Sequence, residues 1–149
     1  MKKTYLSILI ALISITSFAQ EALITGYVDS PCSGANGRVL EIYVNGTIDF
    51  TGWKVQRQSN GGGYSTNLDL SSFATISDEF VYLTNDQAAL ASEFGITANV
   101  IESSVISSNG DDAFQIIDNN AVVIDRFGEE NIDGTGTAWE HLDLSLIHI

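Results

Sequence analysis

The chain has 149 residues, six of them basic and nineteen acidic, with a formal net charge of −13 at pH 7 and histidine neutral. That balance excludes direct nucleic-acid binding, which rests on cations displacing counterions from phosphates, and argues equally against an anionic membrane surface. The single cysteine, Cys32, excludes an internal disulfide and leaves a small residue after Pro31 or an intermolecular bridge.

Lys2 and Lys3 form a positive start, and Leu6 to Ile15 is apolar except for Ser7 and Ser14. Ser17 and Ala19 then place small residues before Gln20, the pattern of a secretory signal peptide over 1–19 cut between Ala19 and Gln20. A membrane anchor needs roughly 20 apolar residues, and this run is shorter. No cysteine follows it closely, so a lipoprotein signal is not expected. Removing it leaves 130 residues with four basic and nineteen acidic side chains, a net of −15. One domain of that size buries about two-thirds of its unfolded surface without staples.

Short runs rich in Val, Ile, Tyr, Phe and Thr predict strands at 22–28, 38–45 and 53–58, with a looser one at 64–70. Turn signals separate them: "SPCSGANG" (30–37), "NG" (45–46) and "SNGGG" (59–63). In "RVLEIYV" the period of two puts Leu40, Ile42 and Val44 on the core face, with Val39, Glu41 and Tyr43 opposite. In "WKVQRQ" it turns Trp53 and Val55 inward and Lys54, Gln56 and Gln58 outward, with Arg57 at the end of the inner row. An indole contributes most when its area is buried, so Trp53 belongs to the framework rather than to a basic-aromatic binding patch. Arg57 is expected to pair with Glu41 on a nearby strand.

A strand at 79–84 precedes "NDQAALASEFG", where Asn85 or Asp86 caps a short helix that Gly95 stops. Further strands follow at 100–107, 113–118 and 121–127, the last two forming a hairpin whose two-residue turn is Asn119-Asn120. The remaining turn signals are "SNGDD" (108–112), "DNN" (118–120) and "DGTG" (133–136). Many short strands, polar turns and one proline read as an all-β antiparallel sandwich or barrel.

The ordered segments "VLEIYVNG" (39–46), "FTGWKVQRQSNGG" (50–62), "EFVYLTND" (79–86), "NGDDAFQIID" (109–118) and "VVIDRFGEENIDGTGTAWEH" (122–141) resemble the lamin tail domain in its bacterial secreted branch. The resemblance spans nearly all of 22–143, and it is the ordered set with its "GTGTAW" ending, rather than any one piece, that is specific to the bacterial branch. It implies an immunoglobulin-like antiparallel β-sandwich of about seven to eight strands, here with one short helix. Bacterial members of the family continue past this ending into an aromatic-containing stretch, whereas this chain runs "HLDLSLIHI". The lamin-tail-like domain is therefore assigned to 20–143, and 144–149 is a tail at a candidate truncation point.

No catalytic set is expected. His141 has Glu140 and Asp143 nearby in sequence but no hydrolase motif around it, and His148 lies in the tail. Asp111 is expected to cap a turn into the next strand. Asp111 and Asp112, as neighbours in an extended segment, point to opposite faces and make a poor acid-base pair. Glu129-Glu130 is a second carboxylate pair. Glu129, Asn131, Asp133, Gly134 and Glu140 fall at places one, three, five, six and twelve of a calcium-loop pattern. Against metal stand Glu at place one, Gly136 at place eight and the absence of predicted flanking helices. The expectation is a structural loop, with no cofactor.

The resemblance implies a non-catalytic, exported interaction module of a larger secreted or surface protein, binding a partner protein, a glycan or a neighbouring domain. Two alternatives stand beside it. One is an accessory N-terminal module of a secreted hydrolase, a nuclease or phosphoesterase with its catalytic domain elsewhere. The other is a calcium-stabilised structural or adhesive module.

Overall fold

In the computed structural model of this chain, the described residues are 21–29, 37–108 and 111–134. The signal segment, Cys32, Trp139, Glu140, His141 and the tail lie outside them. Ten strands occur among the described residues: β1 Glu21–Val28, β2 Val39–Asn45, β3 Thr47–Asp49, β4 Lys54–Gln58, β5 Tyr64–Asp69, β6 Thr75–Ser77, β7 Phe80–Thr84, β8 Val100–Glu102, β9 Ala113–Ile117 and β10 Val123–Phe127. They are joined by one α-helix, α1 Gln87–Phe94, and 3-10 turns at Ser71–Phe73 and Ser104–Ile106.

Two four-stranded sheets, in the orders β1-β2-β7-β8 and β10-β9-β4-β5, form an all-β sandwich, with β3 and β6 as a separate ribbon. Alternation decides what lies between them. Ala22, Ile24, Leu40, Ile42, Val44, Val81 and Leu83 from one sheet join Val55, Phe114, Ile116 and Phe127 from the other in a single buried cluster. Burying a side chain such as Phe114 contributes about 1.5–3 kcal/mol relative to exposure, so the layer between the sheets dominates stability. Trp53 is half-buried and packs on this cluster, edge-on to Phe50 with ring centroids 5.5 Å apart.

The edge strands β1 and β10 meet where both ladders are irregular, between Ile24 and Gly26 and between Val123 and Asp125. There the Ile24 N–H donates to Asp125 Oδ2 at 2.6 Å, so one carboxylate satisfies an edge donor that no strand pairs.

Antiparallel pairing was expected throughout, but β7 and β8 run parallel. Parallel neighbours need a crossover, and α1 provides it. Asp86 Oδ1 accepts from Ala89 N at 2.9 Å at its start, and Gly95, at φ 71, closes it through Gly95 N to Ala91 O. Of the two expected caps, Asp86 is the one used.

The run 100–107 is not one strand. It breaks after Glu102, because Ser103 Oγ accepts from Val105 N and starts a 3-10 turn that drives Ile106 into the core. The β9–β10 turn also differs from the expected Asn119-Asn120 pair. Asp118 Oδ1 accepts from both Asn120 N and Val122 N, and Ala121 takes the left-handed position at φ 62. This is a three-residue hairpin loop, selected by the Asp118 side chain. The β3/β6 ribbon was not anticipated, since three-residue strands leave no measurable alternation; Ile48 and Ile76 are its paired inward residues.

Candidate interaction face

Glu129, Asn131 and Asp133 expose their side chains on the loop after β10, while Glu140 lies outside the described residues. The loop's backbone turns the other way. Gln58 Nε2 donates to Glu129 O at 3.0 Å and Ile132 O at 3.3 Å, and Gln58 Oε1 accepts from Asn131 N at 2.7 Å. Gln58 therefore occupies the outer face, as alternation requires, yet is fully buried, because the loop folds over it. The outward direction expected for Gln58 holds, and the returning loop rather than water covers it. Gly61 confirms the close approach: a Cβ there would sit 3.0 Å from Asp133 N. Among the described residues no three His, Cys, Asp or Glu side chains gather as a metal site.

Arg57 does not pair with Glu41. They belong to different sheets, β4 and β2, and Glu41 sits on its own sheet's outer side. Arg57 donates through Nη1 to Ser107 O, and its Nε lies 3.8 Å from Asp112 Oδ2. Asp112 Oδ1 also accepts from Asn60 N at 3.2 Å. Asp111 and Asp112 are both buried. The site role of Asp112 is thus to join the β4–β5 turn to the start of β9.

A row of hydrogen bonds crosses the outer face of β10-β9-β4-β5, while Val122 and Val123 at the start of β10 stay exposed. Arg126, Gln115, Gln56 and Asn67 lie opposite one another across all four strands. Arg126 Nη2 donates to Gln115 Oε1 at 2.8 Å, Gln115 Nε2 to Gln56 Oε1 at 2.7 Å, and Gln56 Nε2 to Asn67 Oδ1 at 2.7 Å. Arg126 also lies 5.3 Å from the Tyr64 ring centroid and bonds Glu130 at 3.0 Å. Each polar group in this row is matched by its neighbour, so covering it with a partner gains little.

The opposite outer face differs. Register sets Leu23 beside Tyr43, Tyr43 beside Phe80, and Glu41 beside Tyr82. The Tyr43 and Phe80 rings are 5.0 Å apart, and Phe80 and Tyr82 are 6.4 Å apart and 27° from parallel. Phe80 is 42% exposed and Leu23 36%, large apolar side chains held in water on a rigid sheet. Glu41 Oε1 accepts from Thr25 Oγ1 at 2.8 Å. Burial, and then the Glu41 carboxylate bonded beside it, push the Tyr82 phenol above its ordinary pKa. The four strands carry no Lys or Arg, while Glu21, Glu41 and Glu102 belong to them and Glu79 adjoins β7.

Sequence reasoning turned Tyr43 and Glu41 outward but missed the strip. Phe80 and Tyr82 share a face by their spacing of two; only the β2–β7 pairing puts them next to Tyr43. A scan against protein-family models finds no match for this chain, and a search of curated proteins finds none either.

Proposed function

We propose that this protein is a non-catalytic interaction module of the lamin-tail type, exported from the cell, which binds through the outer face of β1-β2-β7-β8. The exposed strip of Leu23, Tyr43, Phe80 and Tyr82 carries this reading. Apolar surface held rigidly in water is where association gains most, and aromatic side chains are enriched at interfaces. Two further features support it. The order β1-β2-β7 facing β10-β9-β4 matches the way an immunoglobulin sandwich sets strands A, B and E against G, F and C. The signal-like segment at 1–19 supports export.

The test is site-specific photo-crosslinking in the producing cell. A photoreactive side chain in place of Phe80 is expected to capture a partner, and the same group in place of Asn67, on the hydrogen-bonded face, is not. Adducts from position 67 alone would refute the assignment of the face. Nuclease, phosphatase or esterase turnover by the purified chain, with or without divalent metal, would refute the non-catalytic reading.

A further inference from the structure

The aromatic strip carries a more specific statement about its partner, one that rests on the reading that this face is where the module binds. We propose that the occupant is a basic, lysine- and arginine-bearing segment of another protein. Glu41 lies on the same face as the strip, opposite Tyr82 and two residues along β2 from Tyr43 of the Tyr43–Phe80 pair. A partner covering the rings also removes water from that carboxylate. Thr25 and Tyr82 give it neutral hydrogen bonds, but they do not cancel its charge. A buried carboxylate without a counter-charge opposes association, and a cation from the partner removes that penalty.

The rings act in the same direction. The faces of Tyr43, Phe80 and Tyr82 carry the negative part of the aromatic quadrupole and attract ammonium and guanidinium groups. Among the described residues, no cation competes for them from within the sheet. Arg38 is bonded to Asp29, Arg57 lies beside Asp112, and Arg126 is bonded to Glu130. Lys54 stands opposite Asp69 on the other sheet. The face is acidic and aromatic within a chain of net charge −13, so long-range attraction and local contacts favour the same partner chemistry. A glycan would satisfy the rings but leave Glu41 uncompensated.

The probe is a short Gly/Ser peptide with alternating Lys and Arg, titrated into the isotope-labelled chain and followed by amide and aromatic NMR shifts. A peptide with Glu at the same positions and a neutral oligosaccharide serve as comparisons. The basic peptide is expected to shift Leu23, Tyr43, Phe80 and Tyr82, with affinity falling as salt is raised. Phe80→Ala and Glu41→Gln should each weaken it about two- to fivefold, both at positions outside the core, with an unchanged spectrum elsewhere reporting the fold. Shifts spread over the acidic loops and indifferent to Phe80→Ala would overturn the proposal, since they mean charge attraction alone. So would binding of the oligosaccharide, and not the basic peptide, at this face, or no shift with any probe. Crosslinking from position 80 alongside any of these results would leave the docking face standing and remove only the partner chemistry.

Discussion

Replacing Gln58 by Leu tests how the loop after β10 is held. The substitution keeps a similar volume but strands Glu129 O, Ile132 O and Asn131 N, the three groups that Gln58 satisfies. A buried polar group that loses its partner costs about 1–3 kcal/mol. The loop's side chains are exposed, so water reaches part of it, and the low end applies to each group. The expected loss is about 3 kcal/mol, a large share of the roughly 5–15 kcal/mol that holds a domain folded. In urea that lowers the midpoint by about 1.5 M, with an unchanged slope, and in a thermal scan by about 10 °C. Hydrogen exchange at Asn131 should accelerate together with the loss. Gly61→Ala perturbs the same contact from the other side, at φ 67 and with its Cβ 3.1 Å from Ile132 C. Because both changes release one loop, the double variant should lose less than the two single losses added. A Gln58→Leu chain within about 0.5 kcal/mol of the parent, with Asn131 exchange unchanged, would refute the latch.

Phe114→Ala empties the centre of the inter-sheet cluster, where Phe114 is fully buried and 5.3 Å from the Tyr27 ring; a loss of about 3–5 kcal/mol is expected by chemical denaturation. Asp112→Ala removes the acceptor of Asn60 N and the charge beside Arg57, and should cost about 2–3 kcal/mol in the same assay, with faster exchange at Asn60. Acid stability follows from three turn aspartates. Thr51 holds Asp49 below the usual carboxylate range, Ser71 does so for Asp69, and the Val122 N–H, with Asn120, does so for Asp118. A lowered folded pKa gives stability that is present above the unfolded value, about 3.9, and is lost as pH falls through the folded values. Melting temperature should therefore be insensitive to these groups from neutrality to about pH 5 and fall below about pH 4. Asp118→Asn should flatten part of that fall, and an acid limb identical to the parent's would refute the role given to Asp118.

Short-range chemistry was legible because it acts within a few residues. Asp86 and Gly95 bound the helix as their side-chain oxygen and missing Cβ require, and Leu40, Ile42 and Val44 are buried as alternation predicts. The break of 100–107 at Ser103 and the left-handed Ala121 escaped, because a Ser or Asp side chain that bonds nearby backbone competes with ladder pairing and periodicity does not record the outcome. The candidate site was half legible: the outward set of β2 could be read, its neighbours could not.

Residue order alone thus determined the class of fold, the inner rows of β2 and β4 as far as Val55, the helix and its caps, and a net charge of −13. Only tertiary structure decided which strands lie side by side, and with that the Tyr43–Phe80–Tyr82 strip, the Arg57–Asp112 contact and the burial of Gln58. Alternation says which way a side chain points from its own strand; it carries no information about which distant strand, or which returning loop, will arrive beside it.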